Sequence, residues 1–326
     1  MGGVIDEERL ARAVLSRAAE PGDRRIGRLL ATMPAVEVVA LLRDPASPVP
    51  HADRYAVRLA TVEPEADLAR VAEVGGRLIV PGDLEWPSQL DALGDSAPWA
   101  LWVRGAADLR FTALRSAAVV GARAATAYGT HVASVLGSDL ASAGWSVVSG
   151  GAFGIDAAAH TGALAAHGIT VAVLACGVDV AYPPRHDALF ARIAADGVLV
   201  SEVPPGAAPH RTRFLVRNRV IAALTRGTVV VEAALRSGAL STAHEALRLG
   251  RPVLGVPGPV TSAMSQGVHR LLRDGALVVT SAAEVAEALG ELGTDLAPRP
   301  SGPVDARDGL DALTARVLDA VPARPG

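Results

Sequence analysis

Residues 146–162 read Ser-Val-Val-Ser-Gly-Gly-Ala-Phe-Gly-Ile-Asp-Ala-Ala-Ala-His-Thr-Gly. The apolar residues at the start, with Trp145 before them, predict a short buried strand. The alanine-rich residues from Asp156 onward predict a helix, and Ser149 to Gly154 form a glycine-rich turn between the two. Such a turn presents backbone N–H groups and the positive end of a helix dipole to a phosphate.

This turn nearly fits the dinucleotide-binding pattern G-x-G-x-x-G. Ser149 replaces the first glycine, and Gly151 and Gly154 occupy the other two positions, with Gly150 between. Many α/β proteins have a similar turn only to pack a helix against a strand. The pattern therefore leaves a phosphate site and a packing turn both open.

Short apolar runs alternate with helical patterns from residue 77 onward. Strands are predicted at 77–80, 101–104, 116–121, 145–149, 170–175, 198–202, 227–232, 252–256 and 276–280. Helices are predicted at about 127–143, 155–167, 185–195, 215–225, 240–249 and 266–274. This alternation predicts an α/β fold with a doubly wound, mostly parallel sheet. In such sheets ligands bind beyond the carboxyl ends of the strands, near a topological switch point.

Helical spacing also marks the amino-terminal part of the chain, over residues 6–44 and 53–74. We expect a small all-helical domain over residues 1–75 and the α/β domain over residues 76–295. A linker with several prolines, 297–303, and a helix at 308–321 are expected within a carboxyl-terminal segment, 296–326.

Composition restricts the class of protein. The net charge of −3 excludes a globally basic nucleic-acid binder, so any such site must be local. All 31 basic residues are arginine, which we attribute to codon bias. The single cysteine, Cys176, excludes an internal disulfide and a cysteine-rich zinc site, and it suits a reducing, cytoplasmic compartment.

No membrane or secretory segment is expected. Residues 157–178 contain no Asp, Glu or Arg, but His160, His167 and Gly168 divide them into a helix, a turn and a strand. The charged amino terminus has no apolar core of the kind that a signal peptide needs.

Gly121-Ala122-Arg123 follows a predicted strand and places a guanidinium at the carboxyl edge of the sheet. There Arg123 can bind a phosphate through two N–H groups, although a surface carboxylate is an alternative partner.

The interval between Glu202 and Glu232 contains no acidic residue and five arginines. Among its residues Arg217 and Arg219 suit phosphates, Phe214 suits base stacking, and Asn218 suits a base edge or a sugar. This combination favours a surface for single-stranded nucleic acid over a solvated basic helix face.

Four further residues, Asp156, His160, Glu232 and Thr242, are predicted to support the same edge of the sheet. Asp156 is placed to cap its helix, and His160, one turn later, suits a hydrogen-bonded, partly buried histidine more than a metal ligand. Glu232 ends a strand, where an ordinary salt bridge and the orientation of an arginine or a sugar hydroxyl stay open. A second glycine turn then begins a helix, and Ser237, Gly238 and Thr242 can donate to a phosphate.

These segments together resemble a known family. The motifs are Pro-Gly-Asp at 81–83 with Trp-Pro at 86–87, Val-Gly-Ala-Arg at 120–123, Ser-Gly at 149–150 with Gly-Ile-Asp at 154–156, Tyr-Pro-Pro at 182–184, Ser-Glu-Val-Pro-Pro-Gly at 201–206, Phe214 with Arg-Asn-Arg-Val-Ile-Ala at 217–222, Val-Glu-Ala at 231–233 with Ser-Gly at 237–238, and Val-Pro-Gly at 256–258. In this order they are similar to the DNA-processing protein A (Smf) family, closely over residues 77–280 and loosely in the helical region, where the resemblance implies a SAM-like or helix-hairpin-helix-like domain.

The resemblance implies an extended Rossmann-like fold that binds single-stranded DNA without a nucleotide cofactor, metal or enzymatic step. It implies protection of incoming strands in natural transformation, loading of the RecA recombinase, and a homodimer. The family's DNA pocket maps onto Arg123, the Ser149-Gly150 turn, Phe214, Arg217, Asn218 and Arg219.

Three departures from the family pattern are visible. Phe153 stands where a basic residue is common, so a phosphate contact is lost or a stacking ring takes its place. His269 stands where the family has an asparagine. Residues 308–321 are expected to form only the first helix of a winged-helix domain, with the rest missing or cut off.

Two rival functions are enzymatic. A nucleotide-monophosphate-processing Rossmann-like hydrolase would use an arginine and Glu232, but Arg236-Ser237-Gly238 replaces the glycine motif of such enzymes. A nicotinamide dehydrogenase lacks the first fingerprint glycine, and Asp179 is poorly placed to bind a ribose.

Overall fold

A nine-stranded sheet forms the centre of the molecule, in the order β1-β2-β6-β5-β4-β3-β7-β8-β9. The computed structural model describes residues 7–291, 293–298 and 310–320. The strands are β1 Gly76–Ile79, β2 Leu101–Arg104, β3 Ser116–Val120, β4 Ser146–Ser149, β5 Thr170–Leu174, β6 Val198–Ser201, β7 Thr228–Val230, β8 Val253–Gly255 and β9 Leu277–Val278. All nine lie where the sequence predicts strands.

Some helices come before the first strand in the chain, and later helices pack on the sheet. The helices are α1 Glu7–Ala18, α2 Arg24–Leu30, α3 Ala35–Arg43, α4 Ala52–Leu59, α5 Pro64–Glu73, α6 Leu109–Leu114, α7 Ala127–Ser142, α8 Ile155–Ala165, α9 Asp187–Asp196, α10 Arg211–Leu224, α11 Gly238–Arg248, α12 Gln266–Arg273, α13 Ala282–Leu289 and α14 Ala312–Ala320. Two 3-10 segments, Ser88–Ser96 and Pro184–His186, complete the elements of the described residues.

Among the described strands, all neighbours from β6 across the sheet to β9 are parallel, and the β1–β2 and β2–β6 pairs are antiparallel. The central strands are buried along their whole length because helices cover both faces. One face packs against α10 and α11, and the other packs against α7 and α8. The predicted doubly wound, mostly parallel α/β fold is confirmed.

The chain changes direction at β3. From β3 it proceeds outward through β4, β5 and β6, and it then returns to β7 on the other side of β3. The connections after β3 and after β7 therefore diverge onto opposite faces and leave a crevice at the carboxyl ends of these two strands.

The amino-terminal region is helical, as predicted, with α1 to α4 around one apolar cluster that also includes Trp99, whereas Val71 of α5 packs with residues of the sheet. Ion pairs join it to the rest of the molecule, including Arg9 with Asp83 at 2.7 Å and Arg70 with Asp179 at 2.7 Å. The proposed domain limits at residues 75 and 295 stay predictions.

Some elements differ from the sequence-based prediction. Helix α10 begins at Arg211, four residues before the predicted 215. Helices α6 and α13 and the Ser88–Ser96 segment were not predicted, since short helices of 6 to 9 residues show little periodicity. Helix α14 lies within the predicted 308–321, whereas most of the predicted linker lies outside the described residues. In the described ranges no helix is both long enough and apolar enough to cross a membrane.

Candidate functional site

A cavity of about 670 Å³ lies in the crevice between the carboxyl ends of β3 and β7. The end of β3 and the residues after it, Val120 to Arg123, line one side, and Ala234 and Ser237 to Ala239, after β7, line the other. Helix α10 closes the third side through Phe214, Arg217 and Asn218. The sequence-based prediction of a ligand site near the switch point thus coincides with a cavity of ligand size.

Arg123 is an exposed cation of this cavity. Its guanidinium carbon lies 4.9 Å from the ring centroid of Phe214, within the range of a cation–π contact. Within the described part of the chain, Arg123 has no carboxylate partner and its guanidinium donates no hydrogen bond. An aromatic ring thus positions the guanidinium while its N–H groups stay available for an anion.

The glycine turn after β4 is held from within by Asp156. The backbone N–H groups of Gly150 and Ala152 donate to Asp156 Oδ2 at 3.1 and 3.3 Å. Burial raises the pKa of the Asp156 carboxyl, and the nearby Arg217 opposes this shift. The carboxylate therefore takes two of the N–H groups that the sequence-based hypothesis assigned to a phosphate.

Close approach explains the glycines of this turn. At Gly150 a Cβ would overlap the guanidinium of Arg217, and at Gly154, with φ of +76°, it would overlap the carbonyl oxygens of Ala122 and Arg123. Gly151 also has a positive φ, of +68°. Gly121, at the end of β3, packs directly against Ile155.

Several predicted site residues do not line this cavity, and two of them, Ser149 and His160, are fully buried. Ser149 is fully buried, and its hydroxyl donates to the Val119 carbonyl at 2.7 Å. His160 is also fully buried; its Nδ1 lies 2.7 Å from the Thr170 hydroxyl, which itself donates to Val147. Burial lowers the pKa of His160 to about 3, so the ring is neutral and structural.

The arginines of α10 divide into different roles. Arg217 is buried against the turn and donates to the carbonyls of Gly150, at 2.8 Å, and of Val173. Burial lowers its pKa to about 10. Arg219 forms an ion pair with Glu202 at 2.6 Å, with only 7% and 9% of the two side chains exposed, and it does not line the cavity.

Of the five arginines between Glu202 and Glu232, Arg211 alone is exposed at the cavity and without an ion pair to any described residue. Arg213 pairs with Glu20 at 2.8 Å, and Arg226 donates to the Leu114 carbonyl at 2.8 Å. The interval contains no acidic residue, but two carboxylates outside it, of Glu20 and Glu202, neutralise Arg213 and Arg219.

The amino terminus of α11 faces the cavity. Ser237 caps this helix by accepting from the N–H of Ala239 at 3.3 Å, and Gly238 and Thr242 line the wall. Asn218 reaches this helix end and donates from Nδ2 to the Gly238 carbonyl at 3.2 Å. The positive end of the α11 dipole adds to the field of Arg123 and Arg211.

Glu232 is committed to the loop after β3. Its carboxylate accepts from the Thr126 N–H at 2.9 Å and from the Thr126 hydroxyl at 2.6 Å, and the residue is only 2% exposed. Gly129 lies so close that a Cβ would overlap this carboxylate. Glu232 holds the Arg123 loop in place and presents no free oxygen to the cavity.

A second cavity, of about 550 Å³, adjoins the first. Arg123, Ala152, Tyr182 and Phe214 line both cavities and form the partition between them. The rings of Tyr182 and Phe214 lie 5.6 Å apart within this partition. We call the two cavities together the groove.

The family model described as DNA recombination-mediator protein A matches residues 77–290. The chain belongs to this family. It is similar to a protein of Mycobacterium tuberculosis strain H37Rv named "Putative DNA processing protein DprA". The two are 46% identical over 98% of this chain and 85% of the relative.

Two solved structures of DNA processing protein A share the fold. The Streptococcus pneumoniae protein has a TM-score of 0.73 and 31% identity, and the match covers 87% of this chain and 98% of that chain. The Helicobacter pylori protein, for which a single-stranded DNA binding mode is described, has a TM-score of 0.58 and 29% identity over 65% of this chain and 95% of that chain.

Two of the departures from the pattern of this recombination-mediator family, His269 and Phe153, can be located in the structure. His269, in place of asparagine, lies with Nε2 3.1 Å from the carbonyl oxygen of Gly258. Phe153, in place of a basic residue, lines the second cavity.

Arg185 was not predicted as a site residue from the sequence. It is exposed in the second cavity and has no ion pair within the described ranges. Its position directly after the Tyr-Pro-Pro motif was the available signal.

Proposed function

We propose that the groove binds single-stranded DNA, with Arg123 on a backbone phosphate and bases against the aromatic partition. The observation that carries this proposal is the unpaired Arg123 guanidinium, held against Phe214 at the switch point. Arginine for phosphates and aromatic rings for bases are the usual elements of a single-strand surface. The description of the Helicobacter pylori relative supports the same ligand.

The groove suits one strand better than a duplex. Its aromatic residues, Phe153, Tyr182 and Phe214, serve bases whose faces are free, and in a duplex those faces are stacked on one another. Arg211 and the amino terminus of α11 extend the positive field along the first cavity.

The deciding experiment measures the affinity of the full chain for a labelled oligonucleotide and for the matching duplex at several salt concentrations. We expect tighter binding of the single strand and a linear fall of log K with log salt, because arginines displace condensed counterions. Equal affinity for the two forms, or no salt dependence, would refute this assignment.

We propose further that the protein acts without an enzymatic step. The carboxylates of Asp156, which lines the first cavity, and of Glu232 are engaged by the segments that they hold. A hydrolase acting on nucleotide monophosphates needs a free carboxylate, and this requirement weighs against that alternative. Release of free base from nucleoside monophosphates would restore it.

The remaining parts of the proposal concern partners and compartment. The family's role as a recombination mediator supports the RecA recombinase as a partner, in the protection and use of incoming strands during transformation. Cys176 is a buried free cysteine, and burial raises the pKa of its thiol to about 11, so the thiol stays protonated. A single cysteine without a disulfide suits the reducing cytoplasm. Acceleration of RecA assembly on single strands by this protein tests the first point.

A homodimer is supported by the edge of the sheet. Strand β9 is the last strand, and Leu277 and Val278 are 50% and 58% exposed there. Apolar residues on an open edge favour pairing with a second chain. Sedimentation of the chain and of Val278→Arg tests this, with a shift to monomer expected in the variant.

A further inference from the structure

Phe153 is an exposed aromatic ring on a fixed support. It lies in the glycine turn with 42% of the residue exposed, and its ring meets His186 edge-on, at a centroid distance of 4.6 Å and an interplanar angle of 72°. His186 Nδ1 lies 3.0 Å from the Gly151 carbonyl oxygen, and because a carbonyl only accepts, this nitrogen carries the proton. The His186 ring also packs against Phe190 at 6.0 Å.

The cavity beside Phe153 combines flat apolar walls with free positive charge. Tyr182, Pro183 and Pro184 line it together with residues of the turn, and Arg123 and Arg185 line it as well. Neither arginine has a carboxylate partner in the ranges that the structure describes. A flat ring attached to an anionic backbone fits both properties, and a nucleobase within a DNA strand is such a group.

The partition determines how a strand would lie. Arg123, Tyr182 and Phe214 face both cavities, so a phosphate at Arg123 has one cavity on each side. The volumes of about 670 and 550 Å³ are each large enough for a base and its sugar. Successive nucleotides can therefore place their bases on opposite sides of the partition.

We propose that Phe153 and the second cavity form a second base subsite, in which one base stacks on Phe153 while its neighbour occupies the first cavity. This proposal rests on the proposed function, since it requires a strand in the groove. It assigns to Phe153 a contact with a base and none with a phosphate. An apolar peptide suits the walls less well, because it would leave the two arginines uncompensated.

The first test compares Phe153→Ala with Phe153→Tyr in the full chain, using a labelled oligonucleotide. The alanine variant should bind about five- to tenfold more weakly, with the salt slope of the wild type, since it loses stacking and no ion contact. The tyrosine variant should bind like the wild type. Alanine binding within twofold of wild type, or an altered salt slope, overturns the proposal. Circular dichroism checks that both variants are folded, as expected for an exposed side chain.

The second test locates the base. Six-nucleotide strands carrying one abasic residue at successive positions are titrated into wild type, Phe153→Ala and Phe214→Leu. We expect wild type to lose affinity at two adjacent positions, with Phe153→Ala insensitive at one of them and Phe214→Leu insensitive at the other. Insensitivity of both variants at the same position means a single base site and overturns the proposal.

The outcomes separate this proposal from the proposed function. A wild type that binds no single strand refutes both. A wild type that binds tightly, with Phe153→Ala unchanged and Arg123→Ala weakened, refutes the second subsite and leaves the proposed function intact.

Discussion

The Arg123 guanidinium lies 4.9 Å from the ring centroid of Phe214, and within the described ranges no carboxylate neutralises it. Arg219, on the same helix as Phe214, lies 2.6 Å from Glu202 and is buried. The two arginines therefore have different roles: Arg123 is available to a ligand, and Arg219 stabilises the position of α10.

Replacing Arg123 by alanine should weaken single-strand binding about tenfold or more, because a charge-assisted hydrogen bond to phosphate is lost. The salt slope should fall by about 0.7, the contribution of one phosphate contact on a single strand. Titrations at four salt concentrations measure both. Arg54→Ala, at an exposed arginine of α4 with no ion pair to any residue that the structure describes, is the control and should change neither quantity. An equal loss in both variants would indicate that the charge acts non-specifically.

Phe214→Leu should weaken binding about fivefold or more, since both the base contact and the support of Arg123 are lost. Because Phe214 positions Arg123, the effects of the two substitutions should not add. The double variant Phe214→Leu with Arg123→Ala should bind more weakly than Arg123→Ala alone because the base contact is also lost, but its total loss should be smaller than the sum of the two single losses. Full additivity of the two binding free energies would show that the ring and the guanidinium act independently.

Glu202→Gln should lower the free energy of unfolding by about 3–5 kcal/mol, because it leaves the buried Arg219 guanidinium without its counter-charge. Denaturant unfolding measures this loss. Glu245→Gln removes the carboxylate of an exposed pair with Arg248 and should cost at most about 1 kcal/mol. The salt slope of DNA binding should be unchanged in Glu202→Gln, and a changed slope would bring Arg219 back as a phosphate contact.

Acidification should destabilise the protein through His160. Burial lowers its folded-state pKa to about 3, below the ordinary value of 6.5. Between these values the unfolded chain binds a proton that the folded chain does not, so the free energy of unfolding falls as pH falls, by up to about 1.4 kcal/mol per pH unit. His160→Asn removes this titration and should flatten the dependence between pH 7.5 and 5.

Unfolding curves at several pH values provide the measurement, and the slopes are compared because the substitution also alters packing. His131→Asn, at an exposed histidine of α7, should keep the wild-type slope. An unchanged slope in His160→Asn would contradict the buried, neutral state of this ring.

The strand positions follow from the sequence because the central strands are short apolar runs between turns. The antiparallel pairing of β2 with β6 does not, since it joins segments about a hundred residues apart that no local pattern connects. Local periodicity likewise shows that α10 exists, but its first turn is fixed by partners such as Glu20.

The site residues that could be predicted from the sequence are those that follow the ends of strands. Arg123 follows β3, and Ser237-Gly238 begins the helix after β7. The topology alone therefore brings them to one crevice. The roles of Arg213 and Arg219 were not predictable from the acid-free interval, because their carboxylate partners come from outside it, one of them 193 residues away. Nor does a turn sequence reveal that Asp156 takes up its N–H groups.

The groove is a surface cleft, and Arg123, Phe153, Arg185 and Arg211 are all exposed along it. A strand can therefore enter from its side, anywhere along its length, and threading of an end is unnecessary. On the proposed function, a covalently closed circle of single-stranded DNA is as good a ligand as a linear strand of the same length.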